Sequence, residues 1–271
     1  MTFLESILSN IPEQGVTVRR VVMGPFWTLV ETDAGTGLAA TQLGDGPTHG
    51  RHSRHMPGAG RLTALSARTL AENVMEPPSP ARSVGLAALN ALLPPPAEDC
   101  VLGEANASEW LRGNARGHRI GIVGWFPFVE ALRAEGHDIE VFEKDSSTGY
   151  AMTPERASRL ASCDILCITA ATLLNDTLDG ILAAASPDAA KILVGPSSPL
   201  CTDTLDLGFA AVCGARVLDP APLVPFIQQG ACFRQLRHSA PSSALRLLTL
   251  YRPRPDAGRP RMEPCNVRYP C

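Results

Sequence analysis

Apolar positions in the first ninety residues follow a mixed rhythm. Residues 3, 4, 7 and 8 are apolar, which is one face of a short helix over 2–9. Positions 16–23 are rich in β-branched residues and read as a strand, which Gly24-Pro25 ends. A second strand is expected over 26–32 and a short third over 37–41, together an antiparallel meander. A glycine- and histidine-rich loop follows over 42–60. Leu62, Leu65, Leu70 and Val74 then mark a helix, and 80–92 marks another. The small residues Gly85, Ala87 and Ala88 suit close packing of that last helix. One helix, three strands and two helices predict a small α+β domain.

The rhythm changes after Pro94-Pro95-Pro96, where three prolines stop the helix and form a stiff spacer. Asn106 and Glu109 have the spacing of a capping box. From there short apolar runs alternate with helical patterns. Strands are expected at 119–124, 138–143, 164–169, 191–194 and 210–213. Helices are expected at 127–135, from Thr153-Pro154 onward, over 176–185 and over 223–229. This alternation predicts an α/β, Rossmann-like parallel sheet with right-handed crossovers. The expected division is 1–96, 97–238 and a tail over 239–271. The arginine-proline repeats from Arg252 onward predict disorder in that tail.

The first strand–helix–strand of the second domain carries the candidate chemistry. Gly121-Ile122-Val123-Gly124 leads into a helix, and Glu143 ends the next strand nineteen residues after Gly124. Glycines there let the backbone approach a ligand, and an acidic strand tip can take ribose hydroxyls. The dinucleotide pattern is incomplete, because Trp125 and Phe126 stand where a pyrophosphate needs room. That argues against ordinary NAD binding. The alternative reading is two glycines shaping a turn and no ligand.

Ligands of open α/β sheets bind outside the carboxyl ends of the strands. The third strand ends there in Thr169, Thr172, Asn175 and Thr177, and the fourth in Gly195-Pro196-Ser197-Ser198-Pro199. Hydroxyls, an amide and free helix N–H groups favour a neutral or anionic polar ligand. The competing reading is that these are turn and cap residues.

The 271 residues are 45% apolar, enough for two modest cores. A net charge of −3 argues against a nucleic-acid partner. No stretch approaches the 18 apolar residues of a membrane span, and the start lacks an export signal, so a cytoplasmic protein without a membrane partner is expected. Eight cysteines without CxxC pairs read as reduced thiols. Cys163 and Cys167, four apart, are expected to share one face of a strand. The oligomeric state is not readable.

The ordered series Gly121 to Pro127, Val141 to Glu143, Ile168 to Leu178, Val194 to Pro199 and Gly214 to Asp219 resembles the putative heavy-metal chelation family over about 119–235. Gly85 to Leu92 resembles the family's companion N-terminal domain. The resemblance implies an enolase-N-terminal-like domain, then a Rossmann-like domain, with a pocket between them. By motif it nominates Gly124, Trp125, Phe126, Glu143, Thr169, Thr172, Asn175, Gly195, Pro196 and Ser197, with Asn90 from the first domain. Ala170, Ala171 and Asp176 stand where small residues or glycine are usual, and Asp176 could alter the pocket's charge.

A divalent heavy metal is the implied cofactor. His49, His52 and His55 are candidate ligands by residue type. Arg51 and Arg54 beside them oppose a cation, and a solvated loop is the alternative. The expected function is binding of a small molecule or metal chelate in the interdomain cleft, with a role in heavy-metal chelation or in handling a chelator or pterin-like metabolite. The alternatives are an S-adenosylmethionine-dependent methyltransferase-like group transferase or a hydrolase, and a Rossmann scaffold used for interaction.

Overall fold

The computed structural model describes residues 1–13, 15–43, 55–143 and 151–253. Helix α1 (Phe3–Ser9) starts at a capping box of Thr2 and Glu5, and it buries Phe3, Leu4 and Ile7. Strands β1 (Val18–Met23), β2 (Trp27–Thr32) and β3 (Thr36–Ala40) form the expected antiparallel meander. The helix expected through 62–74 is broken into a 3-10 turn (Leu62–Ala64), α2 (Ala67–Glu72) and a second 3-10 turn (Asn73–Met75). Ser66 breaks it, because its hydroxyl accepts from the Thr69 amide and restarts the helix. Helix α3 (Pro80–Leu92) begins on a Ser79 cap with proline in its first turn, and every residue except Asn90 is buried.

The second half contributes β4 (Val101–Gly103), α4 (Ala107–Asn114), β5 (Arg119–Val123), α5 (Val129–Ala134), β6 (Asp138–Phe142), α6 (Pro154–Ala161) and β7 (Ile165–Thr169). After these come α7 (Leu178–Ala184), β8 (Ala190–Val194), α8 (Thr202–Asp206), β9 (Phe209–Val217), α9 (Leu223–Gln228), α10 (Phe233–Ser239) and β10 (Leu245–Tyr251). The strands form one seven-stranded sheet in the order β4-β10-β9-β8-β7-β5-β6. Its five parallel strands, counted by chain order from β5, run 2-1-3-4-5, a doubly wound order. The direction of winding reverses between β5 and β7. Ile165 and Cys167 pack on one face with α4 and α5, while Leu166 and Ile168 pack on the other with α6, α7 and α8. This is the period-two alternation of a sheet covered on both sides.

Two expectations need correction. Strand β10 lies inside the stretch read as a disordered tail, between β9 and β4. The arginine-proline repeats start only at Arg252, and the apolar run before them buries Leu248 and Leu250. The expected boundary at 238 therefore falls inside the sheet domain, while 254–271 lie outside the described residues. Cys163 and Cys167 do not share a face. Cys163 precedes β7 and joins the core with Leu166, whereas Cys167 joins the opposite cluster.

The two halves share their cores. Val22 pairs with Leu29, and Leu29 with Leu38, across the small sheet. This ladder is covered by Leu223 and Ile227 of α9 and Leu236 of α10, which follow the large sheet's last parallel strand. The sheet's other face carries Val30 and Ala39 against α3. Approach is close on both sides. A Cβ on Gly37 would lie 2.0 Å from the Ala87 carbonyl, and one on Gly24 would lie 2.0 Å from the Ile227 carbonyl. Each fully buried Leu or Ile contributes about 1.5–3 kcal/mol, so this shared layer binds the halves into one unit.

Candidate functional site

Strand β5 is followed by Gly124, whose φ of +98° is open to glycine at little strain. A Cβ there would lie 2.8 Å from Thr169 Cγ2, so the glycine also lets the β5 and β7 ends approach each other. The crevice between these ends is the switch point of the sheet, where a doubly wound fold accepts ligands. A cavity of about 200 Å³ occupies it. Its floor is apolar, formed by Val123, Phe142, Leu160 and Ile181, with Met152 beside them. Its edge is polar, formed by Glu143, Arg156, Thr169, Asn175 and Thr177, and Trp125, 57% exposed, also lines it. Arg156 of α6 donates to the Glu143 carbonyl and holds the β6 tip beside the cavity. Two other concavities lie at the amino ends of the strands, around His118, Asp164 and Arg119.

The β7 loop is built from its own hydroxyls and amides. Thr169 accepts from the Ala171 amide, and Thr172 donates to the Thr169 carbonyl at 2.6 Å. Thr177 donates to Asn175 Oδ1 at 2.6 Å, which fixes that amide at the cavity edge. Between these two, Asp176 adopts a left-handed φ of +62°, which Asp tolerates better than most residues. Its carboxylate does not line the cavity. It accepts from Arg82 Nη2 at 3.0 Å, so Asp176 leaves the pocket's charge to others. Arg82 comes from α3, and its side chain is only 6% exposed. Sequence reading missed it, although it is the only charged residue in an otherwise apolar and small helix.

The nominated residues divide into two groups. Gly124, Trp125, Glu143, Thr169, Thr172 and Asn175 meet around the cavity. Phe126 turns to the opposite face of the sheet, where it stacks on Phe128 at 5.1 Å beside the α4–α5 cluster. Gly195, Pro196, Ser197 and Asn90 are not in the cavity wall. Asn90 Nδ2 donates to the Leu38 carbonyl at 3.1 Å and to the Ser197 carbonyl at 3.0 Å. The buried Ser197 hydroxyl accepts from the Ala40 amide at 2.8 Å. These residues are the polar seam between the halves. All described walls of the cavity come from residues 123–181, so among the described residues the first half lends it no wall, unlike the interdomain pocket that the resemblance implied.

Two family models, both described as putative heavy-metal chelation, match residues 4–93 and 106–243. The chain belongs to the putative heavy-metal chelation family. An uncharacterized protein of Methanocaldococcus jannaschii is 31% identical over 147 residues, spanning 51% of this chain and 55% of that protein. The chain thus matches about half the length of this relative. Two solved structures of family members described as having unknown function share the fold. The one from Desulfitobacterium hafniense has a TM-score of 0.68 at 23% identity and covers 91% of this chain and 96% of its own. That from Pyrococcus horikoshii has a TM-score of 0.67 at 19% identity, with 92% and 99% covered.

The family description invites a test of donor chemistry. Soft and borderline metals choose thiolate and imidazole. The cavity edge instead offers hydroxyls, a carboxamide and one carboxylate. Among the described residues no three His, Cys, Asp or Glu side chains gather at ligand distance. The core thiols are divided between the two faces of the sheet, Cys163 and Cys201 in one cluster and Cys167 and Cys213 in the other. Burial pushes Cys163 up to about 11 and Cys213 up to about 12, and it raises Cys167 well above the ordinary thiol value. The described side chains do not fit a heavy metal ion bound directly by the protein. His49 and His52 lie outside the described residues, and His55 stands at the edge of the segment.

Proposed function

We propose that this member of the putative heavy-metal chelation family binds a small organic molecule, a chelator or its metal complex, in the cavity between the β5 and β7 ends. The supporting observation is the mismatch of donor sets. The cavity has an apolar floor and an edge of Asn175, Thr177, Thr169 and Glu143, which suits hydrogen bonds to a ring or chelate. It is poor in nitrogen and sulfur donors for a bare soft ion. Its size favours one ring system. Ligand pockets for drug-sized molecules span roughly 300–1,000 Å³, and this cavity holds about 200 Å³.

A thermal-shift series tests this. Zn²⁺, Ni²⁺ and Cu²⁺ are each added alone and as the preformed citrate complex, beside a pterin. The expected result is stabilisation by a complex or pterin and none by the free ions. A ligand present at about a hundred times its Kd contributes about 2.7 kcal/mol. Stabilisation by free ions alone, retained after Asn175→Ala, would overturn the reading.

A second reading rests on Glu143. It follows β6 directly, one strand from the Gly124 turn, where a carboxylate can accept from ribose hydroxyls. A nucleoside cofactor such as S-adenosylmethionine is then the ligand. Stabilisation by S-adenosylmethionine that disappears in Glu143→Ala would favour this reading over the chelate.

A further inference from the structure

The only charged side chain of α3 is spent on the β7 loop. Arg82 is buried, and its guanidinium makes three bonds. Nη1 donates to the Glu76 carbonyl of its own half at 3.0 Å. Nε donates to the Leu173 carbonyl at 2.8 Å, and Nη2 donates to Asp176 at 3.0 Å. The latter two acceptors flank the short stretch that carries Asn175 into the cavity edge. A positive charge in the first turn of a helix is disfavoured by the helix dipole. Burial of a guanidinium carries a desolvation cost that its hydrogen bonds and ion pair must offset. Simple packing does not call for such a group in a helix of Ala, Leu and Val. The backbone at Asp176 is left-handed, and its side chain is the exposed end of the pair, 68% exposed.

We infer that Arg82 is a positioning residue: docked through the first half, it clamps the 173–177 turn so that Asn175 and Thr177 face the cavity. The pocket edge is then set by a residue of the other half, although no described side chain of that half lines it. This inference rests on the proposed cavity being the binding site only for its functional meaning. The clamp itself is testable without ligand.

Hydrogen–deuterium exchange of the full chain reads it directly. The Asn175 amide donates to Ala171 and the Thr177 amide to Thr172. Asp176→Gly keeps the left-handed backbone and removes the carboxylate. Loss of a charge-assisted bond predicts exchange at Asn175 and Thr177 faster by about tenfold or more. Asp176→Asn keeps the backbone and an oxygen acceptor, so it should fall between wild type and Asp176→Gly. Arg82→Met, of similar length, should loosen the same two amides more than the β5 and β7 strands. Unchanged exchange in Asp176→Gly and Arg82→Met overturns the clamp. So does equal loosening of the strands, or Asp176→Asn exchanging as fast as Asp176→Gly. A wild type that no pterin, citrate complex or S-adenosylmethionine stabilises would count against the pocket reading and leave these exchange results standing.

Discussion

The loops after β7 and β8 leave the same edge of the same sheet, and both carry hydroxyl side chains. One carries Thr169, Thr172, Asn175 and Thr177, the other Gly195, Pro196, Ser197 and Ser198. Yet the first borders a cavity and the second is buried under α3 and β3. The Ser197 hydroxyl and carbonyl are both engaged by the first half, through the Ala40 amide and Asn90. Asn175 has its oxygen held by Thr177, and its side chain still reaches the cavity edge. Standing at the ligand end of a doubly wound sheet is therefore insufficient to make a loop a binding loop. What decides is whether another part of the chain has already consumed its donors and acceptors.

The largest effect is expected where the first half approaches most closely. Gly37→Val places side-chain carbon against the Ala87 carbonyl, 2.0 Å from an ideal Cβ. The small sheet and α3 must separate, which costs more than about 4 kcal/mol. Soluble expression and the thermal midpoint would show it, and a normal midpoint would mean that the seam is softer than described.

Next comes a paired test of the two loops. Asn90→Leu leaves the Leu38 and Ser197 carbonyls without their shared donor, and should lower stability by about 1–3 kcal/mol. Asn175→Ala, at the partly exposed cavity edge, should change stability by no more than about 0.5 kcal/mol while weakening any cavity ligand. Denaturant melts separate the two. If Asn175→Ala destabilised as much as Asn90→Leu, the contrast between a structural and an open loop would fail.

The edge of the sheet supplies a pH-dependent term. Burial alone would raise the Glu140 carboxyl, but hydrogen bonds from Arg159 and Arg119 outweigh it and hold the group below its ordinary 4.5. A depressed folded value means that the contribution is present above about pH 4.5 and is lost as pH falls through the folded value. Glu140→Gln should therefore lower stability at neutral pH and flatten the acid limb of the stability curve. Parallel acid limbs for variant and wild type would show that the pair contributes little.

The smallest effect concerns reactivity alone. Among the described cysteines, Cys232 is exposed, while Cys163, Cys167, Cys201 and Cys213 are buried with raised pKa values. Brief alkylation of the native protein followed by peptide mapping should find Cys232 modified well before those four. Early modification of Cys167 would mean that the sheet opens between its faces.

Much of the fold is written in local patterns. The apolar face over 2–9, the capping box at Asn106, the Thr153-Pro154 start and the alternation through 119–213 are short-range signals, and each yields an element close to its expected place. Gly124, Glu143 and the 169–177 turn are also local, because their position follows from the ends of parallel strands. The ordered motifs were enough to assign the family. Three features were not legible. Strand β10 was hidden by the prolines after it, because composition averages over a boundary that hydrogen bonding to β9 and β4 makes sharp. The facing of Phe126 depended on α4 and α5 burying a second aromatic beside it. The separation of Ser197 from Asn175 depended on where the first half docks. Sequence by itself determined the antiparallel meander, the alternating strands and helices through 119–213 and the end of the sheet where chemistry can sit, since these arise from backbone periodicity and capping, while β4, α8, α10 and β10 were not read from it. Only the tertiary structure decided which polar side chains were consumed in packing the two halves together, as Asn90, Ser197 and Arg82 were. Hydrogen-bond satisfaction is settled between residues far apart in the chain.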